Sequence, residues 1–469
     1  MAAKTAAQHA ELAARHPNRV IAIIALSYLM LIADTSIVVT ALPRIREGLG
    51  FSAVDLSWVT NSYSLAFGGL LLLGARAGDI LGRRRMFVVG LALFTATSLL
   101  VGLSPSSGWL IAARMLQGAA GAVIAPSTLA LLSTSFPVDP MRGRALAIYG
   151  SITGIGTSVG LVLGGIITNL FSWRWAFIIN VPVGVVLLFT ATRHLHETER
   201  HAGRFDLGGA LASTFGMTSL VYGLVRSADF GWRDHLTQSA LALGTGLLVA
   251  LVLHERDADQ PIMPLRLFAS RQRSGANLAR LLFVGNMMGF WFFMSQYLQD
   301  ARGMNPMATG LAFLPMTLAS FAIAFLVPRL SRRWGHAPLL MGGLAAVLVG
   351  MVWLSRSDAS APYLGSVALP MMLVGFGQGA STIRLTTAGI ANVEPRDAGA
   401  ASGIVSTAVQ LGNALGLSVL VVLTAHIAQS AYGRAAFVVE RTHVAMLGGV
   451  GFMVLALLAA VWTLSDREH

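Results

Sequence analysis

The 469-residue sequence contains no cysteine and few charged residues. Without cysteine, disulfide bonds and thiolate metal ligands are excluded. Charged residues make up 12% of the chain, whereas soluble globular proteins carry about 25%. Since 55% of the residues are hydrophobic, the composition predicts a membrane protein with many spans.

Sequence motifs for catalysis, metal binding and nucleotide binding are also missing. The chain has no H-E-x-x-H motif and no G-x-x-x-x-G-K-[ST] phosphate loop. His194, His196 and His201 share one polar segment, where a surface loop is a simpler interpretation than a metal site. We therefore expect no enzyme activity, no catalytic residues, no metal and no bound cofactor.

Fourteen apolar runs are separated by polar residues, and each approaches the roughly 20 residues that cross a bilayer. An even number of spans places both termini on the same side. The first run is too long for a signal peptide, so we interpret it as an uncleaved helix. The runs are 20–41, 54–74, 86–103, 109–132, 144–168, 175–192, 207–226, 237–254, 275–299, 308–328, 338–355, 362–384, 397–425 and 443–464.

The basic residues are distributed unevenly between the two sides. With the N-terminus inside, the cytoplasmic segments hold 23 of the 33 Lys and Arg residues and the outer loops hold 9. Cytoplasmic loops of membrane proteins carry such an excess. The pattern places both termini in the cytoplasm and accounts for the net charge of +12 without a nucleic-acid partner.

Three pairs of segments indicate an internal repeat. VDPMRGRA (138–145) is similar to VEPRDAGA (393–400), LGRRRMFVVG (81–90) to RWGHAPLLMG (333–342), and MLQG (115–118) to GFGQG (375–379). Spans 1–6 and 9–14 thus look like two copies of one six-helix unit, a plan typical of secondary transporters. The predicted parts are a cytoplasmic tail (1–19), a first bundle (20–196), a linker with spans 7 and 8 (197–274) and a second bundle (275–469).

Four stretches together resemble one known family. They are ADTSIVVTALP (33–43), AGDILGRRR (77–85), RMLQGAAGA (114–122) and WRWAFIINVPVG (173–184). In this order they are similar to the 14-helix drug:proton antiporters (the EmrB/QacA-like family) of the major facilitator superfamily. The sequence departs from the family at Ala75 and Ile80, and it has Gly160-Leu161 where the fifth helix usually has Gly-Pro.

The resemblance implies an all-α major facilitator fold of two six-helix bundles plus two additional central helices. It also implies proton-coupled efflux of drugs or antibiotics by alternating access, carried out by a monomer in the bacterial cytoplasmic membrane. The proton gradient would be the only energy source. Two alternatives stay open: a proton-coupled importer or facilitator on the same fold, and a membrane scaffold or lipid-handling protein.

Asp34 is the only acidic residue well inside a predicted span. Burial disfavours the charged form of a carboxyl group, so a buried aspartate can take up and release a proton. Ionisable residues inside the membrane are candidates for function. Three roles remain open for Asp34: a proton carrier, a direct contact to the substrate, or a structural hydrogen bond to a neighbour such as Thr35 or Ser36.

Arg114 is the second charge predicted inside a span, one turn before Gln117. An unpaired guanidinium in hydrocarbon is unfavourable, so Arg114 should face the bundle interior and a partner. The resemblance implies that it tunes proton transfer together with Asp34. A structural contact with backbone carbonyl groups is the alternative.

The segment between spans two and three contains Asp79, Gly82, Arg83 and Arg84. Glycine allows a tight turn here, and Asp79 can cap a helix N-terminus and attract the arginines. The resemblance implies a conformational latch between the two halves. The simpler interpretation is a basic loop that sets topology.

Span five has glycines at every fourth position, Gly156, Gly160 and Gly164, on one helix face. Small residues at this spacing let helices approach closely. The resemblance implies a tight seam that favours exchange, and ordinary helix packing would use the same contacts.

Polar and aromatic residues in spans two, four, nine and twelve are the candidates for substrate binding. Such a mixture suits an amphipathic ligand, although core packing or an interfacial belt explains any single aromatic residue as well. Arg384 either reaches the cytoplasmic surface or lines the cavity, where it would disfavour cations. The candidates are Asn61, Tyr63, Phe67, Gln117, Trp291, Gln296, Tyr297 and Arg384.

Overall fold

The computed structural model describes residues 17–135, 141–197, 206–257, 264–393, 398–427 and 433–464. These residues form fourteen long helices, and no β-strand occurs among them. The helices are α1 (Pro17–Leu49), α2 (Trp58–Leu81), α3 (Arg83–Gly102), α4 (Ser107–Ser135), α5 (Met141–Leu170), α6 (Asn180–His194), α7 (Leu207–Phe230), α8 (His235–Asp257), α9 (Arg271–Gln296), α10 (Leu314–Trp334), α11 (His336–Leu354), α12 (Leu369–Gly389), α13 (Ala398–Thr424) and α14 (Arg434–Leu464).

Each predicted span corresponds to one of these helices, which confirms the all-α membrane architecture. In the part of the chain that the structure describes, thirteen helical segments are long and apolar enough to cross a membrane, and the apolar part of α5 at Gly156–Leu170 adds a shorter one. Short helical segments, Asp55–Ser57, Trp175–Ile178, Leu265–Ala269, Tyr297–Ala301, Pro306–Ala312 and Leu364–Ala368, flank several of the long helices.

The helices extend beyond the predicted apolar runs, because a charged residue near the membrane surface does not end a helix. The clearest case is α14, which begins at Arg434 rather than at residue 443. As a result Arg441 lies inside the helix and is 4% exposed. Arg114 is therefore not the only basic residue buried within a long helix, although the predicted run 443–464 leaves Arg441 outside.

The helices pack as two similar groups. In the first, α1 packs on α5, and α4 packs on α2 and α3; in the second, α9 packs on α13 and α14, and α12 packs on α10 and α11. Gly82 and Gly335 make the matching one-residue turns, with φ of 106° and 84°, which glycine adopts without strain. The domain boundaries at residues 196 and 275 stay a prediction, and residues 1–16 of the tail lie outside the described residues.

The additional helices α7 and α8 lie between the two groups in the sequence, and α7 contacts both groups in the structure. α7 packs on α8, and it also contacts α2 and α13. Arg226 and Asp234 close the connection between the two helices through a 2.7 Å ion pair. Because that guanidinium donates a hydrogen bond to it, the pKa of Asp234 lies well below its usual range.

α5 lies close against α1 along the predicted glycine face. A β-carbon on Gly160 would lie 2.8 Å from the carbonyl oxygen of Ala33, and one on Gly164 would lie 2.8 Å from the Cα of Ile37. Gly156 meets the side chain of Ile32 in the same way. The three glycines therefore pack within the first group of helices, and their role in exchange stays a prediction.

Replacing Gly160 by alanine should lower the thermal stability of the protein in detergent. The added methyl group overlaps the α1 backbone, and overpacking of this kind costs about 1–3 kcal/mol. The matched control is Gly246→Ala in α8, where a β-carbon meets nothing within 4 Å. Equal melting temperatures for Gly160→Ala and the wild type would contradict the close packing of α1 on α5.

Candidate functional site

Asp34 and Arg114 form an ion pair inside the first group of helices. Asp34 lies in the middle of α1 and Arg114 in α4, and their side chains are 0% and 1% exposed. An Arg114 Nη1 atom is 2.8 Å from Asp34 Oδ2. The two predicted intramembrane charges are thus partners, which neither sequence position alone could show.

The second carboxylate oxygen of Asp34 is bound by two amides. Gln117 Nε2 donates to Asp34 Oδ1 at 3.0 Å, and Asn180 Nδ2 donates to the same atom at 2.8 Å. Gln117 also donates to Ser98 Oγ at 2.9 Å. The carboxylate of Asp34 in α1 is bound directly by residues of α4 and α6, and Gln117 links it to Ser98 of α3, so its surroundings depend on four helices at once.

Arg114 has further partners besides Asp34. Its Nε donates to the carbonyl oxygen of Val59 at 3.1 Å, and its Nη1 donates to Gln117 Oε1 at 2.7 Å. The guanidinium also lies 4.4 Å from the ring centroid of Tyr63, within cation–π range. The predicted contact with a backbone carbonyl and the contact with Asp34 therefore occur together.

The charges of Asp34 and Arg114 compensate each other only while both side chains are ionised. A buried ion pair is stable when its remaining hydrogen bonds are satisfied, and removal of one charge leaves the other uncompensated. Protonation of Asp34 would leave the charge of Arg114 uncompensated in this way. Thr35 and Ser36, the suggested neighbours of Asp34, instead donate to the carbonyl oxygen of Ile32.

The predicted substrate residues separate into groups. Tyr63 and Gln117 belong to the ion-pair site, and the ring of Phe67 lies 5.8 Å from that of Tyr63. Asn61 is buried and donates to Ser418 Oγ of α13 at 2.9 Å, which joins the two groups of helices. Phe67 is only partly buried, and the buried Oδ1 atom of Asn61 has no hydrogen-bond partner. Substrate binding by the four residues stays a prediction.

The remaining candidates lie in the second group of helices. Trp291 packs on Phe313 at 4.9 Å between ring centroids, and Gln296 and Tyr297 are buried on the same helical stretch. Arg384 is half-buried near the end of α12, where its Nη1 is 2.6 Å from His336 Nδ1. This contact lies near the end of the molecule that contains the start of α1, which we call the Pro17 end.

The predicted latch is organised by a residue that the sequence analysis missed. Asp79 pairs with Arg83 at 2.5 Å. Glu197, which follows α6, accepts hydrogen bonds from the backbone N–H groups of Arg84 and Arg85, both at 3.0 Å. Glu197 therefore caps α3, a role expected of Asp79. The only sequence signal was an acid in the polar segment after span six.

Gly82 makes room for this cap. A β-carbon on Gly82 would lie 2.5 Å from the carboxyl carbon of Glu197. The Arg84 guanidinium adds a 2.6 Å hydrogen bond to the carbonyl oxygen of Thr192 at the end of α6. These contacts of Arg84 and Glu197 connect α3 with α6 inside the first group, and a latch between the two groups stays a prediction.

An ion network joins the two groups at the opposite end of the molecule, which we call the Leu49 end. Arg46 of α1 is 2.8 Å from Asp300, which follows α9. Arg434 of α14 is 2.7 Å from Glu47 and 3.2 Å from Asp300. We call these four residues the end network, and each group of helices contributes one positive and one negative charge to it.

Hydrogen bonds continue this closure toward the middle of the molecule. Ser295 Oγ donates to the carbonyl oxygen of Val39 at 2.5 Å, and Gln299 Nε2 donates to that of Thr40 at 3.0 Å. The short helix Pro306–Ala312 also packs against α5. The described structure is therefore closed at the Leu49 end. No cluster of three or more metal-ligating side chains occurs in the described ranges, and His201 lies outside them.

A cysteine pair at Val39 and Ser295 should form a disulfide bond in this closed conformation. The chain has no cysteine of its own, so the double variant contains only the introduced pair. Cross-linking should hold the Leu49 end closed and reversibly stop the transport that the family resemblance implies, with recovery after reduction. The two single cysteine variants are the controls, and a double variant that does not cross-link would contradict the closed arrangement.

Arg114→Met should destabilise the protein, because it leaves the Asp34 carboxylate buried without its counter-charge. Breaking a buried pair in this way costs about 3–5 kcal/mol. The double variant Arg114→Met with Asp34→Leu removes both charges and should recover most of that loss in thermal unfolding. A single variant as stable as the wild type would contradict the importance of the pair.

The sequence matches the model of the Major Facilitator Superfamily over residues 24–417. It is 40% identical to the cephamycin export protein CmcT of Amycolatopsis lactamdurans, over 85% of this chain and 83% of the relative. It is 37% identical to the puromycin resistance protein pur8 of Streptomyces alboniger, over 95% and 91% of the two chains. The lincomycin resistance protein of Streptomyces lincolnensis is 34% identical, over 90% and 87%.

Solved structures share the fold at low sequence identity. A bacterial homologue of the human lysosomal transporter Spinster, in an inward-facing and unoccupied conformation, matches with a TM-score of 0.68 at 15% identity, over 96% of this chain and 99% of that one. A proton-dependent oligopeptide transporter structure also gives 0.68, at 13% identity, over 96% and 100%. The family match, the relatives and the shared fold show that this chain belongs to the major facilitator superfamily of membrane transporters.

Proposed function

We propose that this chain exports small organic molecules, such as antibiotics or drugs, across the bacterial cytoplasmic membrane in exchange for protons. Two things support the proposal. Relatives that are 34–40% identical are named for antibiotic export or resistance. The proposed proton exchange rests on a single observation, the fully buried pair of Asp34 and Arg114. The charge on Asp34 determines whether the charge on Arg114 is compensated.

Alternating access would be coupled to the proton through this pair. With Asp34 ionised, the arrangement closed at the Leu49 end is satisfied by the contacts of Arg114, Gln117 and Asn180. A proton on Asp34 leaves the Arg114 charge uncompensated, which favours a conformation where water or another partner reaches that guanidinium. For exchange with an exported molecule, Asp34 would take up its proton from the outer side while the Leu49 end is open and lose it to the cytoplasm, which restores the pair in the arrangement closed at the Leu49 end.

The proton gradient is sufficient as the energy source. One proton moving through a potential of about 100 mV releases about 2.3 kcal/mol. At about 1.4 kcal/mol per factor of ten, this supports a concentration ratio of roughly forty for the exported molecule. Useful extrusion therefore needs no nucleotide or other cofactor.

Both termini would lie in the cytoplasm, as the excess of basic residues in those segments indicates. The Leu49 end then faces outward, and the end network of Arg46, Glu47, Asp300 and Arg434 closes the outer side. This conformation would take up substrate from the cytoplasm. We propose a monomer as the working unit, since the fold itself supplies both halves of the transport path.

One observation favours a second candidate, a proton-coupled importer or facilitator. Leu161 stands where exporters of this family usually have proline, and it is buried against the second group of helices. The backbone of Leu161 packs closely on Gly310. A β-carbon added to Gly310 would lie 2.5 Å from the carbonyl oxygen of Leu161. Direction of transport is therefore the quantity that the first experiment must measure.

Expression in a drug-sensitive bacterial host should raise tolerance to at least one compound in a panel of puromycin, lincomycin, cephamycin and tetracenomycin C. Cellular accumulation of that compound should fall, and a protonophore should restore it. Higher accumulation in the expressing cells would establish import instead. No flux of any compound in proteoliposomes would favour the scaffold or lipid-handling alternative.

Asp34→Asn should abolish gradient-dependent transport, because an amide cannot exchange a proton in this range. The matched control is Asp229→Asn, the same substitution at an exposed position in the last turn of α7. Uptake into inverted vesicles driven by an imposed pH gradient measures both variants. Wild-type rates in Asp34→Asn would remove this mechanism.

A further inference from the structure

The facing sides of α1 and α9 separate from each other toward the Pro17 end. At the Leu49 end the two helices are joined by Ser295 and Val39, and both residues are buried. On α1, Thr35, Ile32 and Tyr28 lie on the same helix face as Val39, progressively nearer the Pro17 end. These three residues are only half-buried. That face of α1 is therefore less covered toward the Pro17 end.

α9 shows the same change on the face that meets α1. Met288, Val284 and Leu281 lie on the same helix face as Ser295, and they are half-buried where Ser295 is buried. The two faces line a space between the groups of helices that is closed at the Leu49 end. We call this space the inner passage, lined by these residues of α9 and by the half-buried residues of α1. With the Pro17 end in the cytoplasm, as proposed, the inner passage admits molecules from the cytoplasm.

Arg280 of α9 lies beside the inner passage. It is one turn beyond Val284 toward the Pro17 end and about 40° around the helix from it. Its Nη1 atom donates to the carbonyl oxygen of Thr382 at 2.9 Å and to Thr386 Oγ1 at 2.6 Å. Both threonines belong to α12 and are half-buried, as is Arg280 itself. The guanidinium is therefore held between α9 and α12 at the side of the inner passage.

The charge of Arg280 is not neutralised by the described residues. Its two hydrogen-bond partners are neutral, and no carboxylate in the described ranges forms an ion pair with it. Its Nε atom is buried without a hydrogen-bond partner, and Nη2 donates no hydrogen bond to the described residues. An arginine side chain stays charged at physiological pH, and a charge partly removed from water is stabilised by a counter-charge. An anion bound beside Nη2 would supply it.

The acids of the described residues do not compete for this position. Asp34 alone lies in the middle of a long helix, and it is 0% exposed and paired with Arg114. The other described acids lie in connections or near helix ends. The electrostatic potential of the inner passage is therefore positive beside Arg280, which attracts anions and repels cations.

Arg384 was the arginine that the sequence suggested for such a role, and Arg280 is better placed for it. Arg384 lies about 200° around α12 from Thr382, so the two side chains are on opposite faces of the helix. Arg384 contacts His336 of α11, whereas Thr382 contacts Arg280 of α9. The side of α12 that faces the inner passage is thus the side that holds Arg280.

We propose that Arg280 binds the negatively charged group of the exported molecule, so that the chain prefers organic anions such as carboxylates to neutral or cationic compounds. Thr382 and Thr386 position the guanidinium, and the half-buried apolar side chains of α9 contact the rest of the ligand. This inference rests on the proposed function and narrows its substrate class.

Binding to the purified full-length protein in lipid nanodiscs tests this assignment without a proton gradient. The probes are cefoxitin, benzylpenicillin and fusidic acid, each compared with its own methyl ester, and thermal stabilisation across a concentration series gives the apparent affinities. At least one carboxylate should bind roughly ten- to a hundredfold more tightly than its ester, as expected for a hydrogen bond to a charged group. Equal affinity within every pair, or binding of no carboxylate, would overturn the inference.

Arg280→Met should abolish the preference for the carboxylate and leave binding of the ester unchanged. Arg280→Lys keeps the positive charge and should retain most of the preference. The matched control is Arg329→Met, which removes an exposed charge near the Pro17 end of α10 and should behave as the wild type. A preference that survives in Arg280→Met would contradict the assignment.

A purely structural role of Arg280 would give a different pattern. Arg280→Met would then lower the melting temperature and keep the preference, which would overturn the inference. Arg280→Gln, which can still donate to Thr382, keeps the test valid if Arg280→Met does not fold. Carboxylate binding through Arg280 without gradient-driven flux would overturn the proposed antiport and support this assignment. Antiport of neutral or cationic compounds without carboxylate binding would support the proposed antiport and overturn this assignment.

Discussion

The structure depends on one constraint, which is that two opposite charges lie in a medium where neither is stable alone. Asp34 and Arg114 satisfy each other at 2.8 Å, and amides from α4 and α6 complete the carboxylate's hydrogen bonds. Because the partners come from different helices, the positions of those helices and the charge of one carboxyl group depend on each other. A transporter that exchanges a proton for a solute needs a link of this kind.

Much of the architecture could be predicted because bilayer thickness sets the length of each apolar run. All fourteen runs became helices, and the two glycine turns that the repeat suggested have the same left-handed backbone. The helix ends were less predictable. The predicted run 443–464 leaves Arg441 outside, yet the residue lies inside α14 and its guanidinium is 5.5 Å and 5.4 Å from the ring centroids of Phe293 and Phe437.

The charged residues of the site could be predicted from the sequence, but their hydrogen-bond partners could not. Asp34 and Arg114 stand out in sequence because charge is rare in apolar runs. Asn180 does not, since an amide at a helix start two residues before a proline is ordinary, and its contact with Asp34 spans 146 residues. Glu197 was missed for the same reason, because its carboxylate caps a helix more than one hundred residues earlier. Contacts across such distances depend on packing, which local patterns do not encode.

The position of α7 has a consequence for how the molecule moves. A β-carbon on Gly69 of α2 would lie within 3 Å of the Thr214 backbone, so α7 is seated tightly on the first group of helices, while it also touches α13 of the second. If the two groups rotate against each other in the proposed cycle, the α7–α8 hairpin would move with α2 and slide over α13. The lipids beside α8 would then be displaced in each cycle, and the rate of the cycle would depend on membrane fluidity.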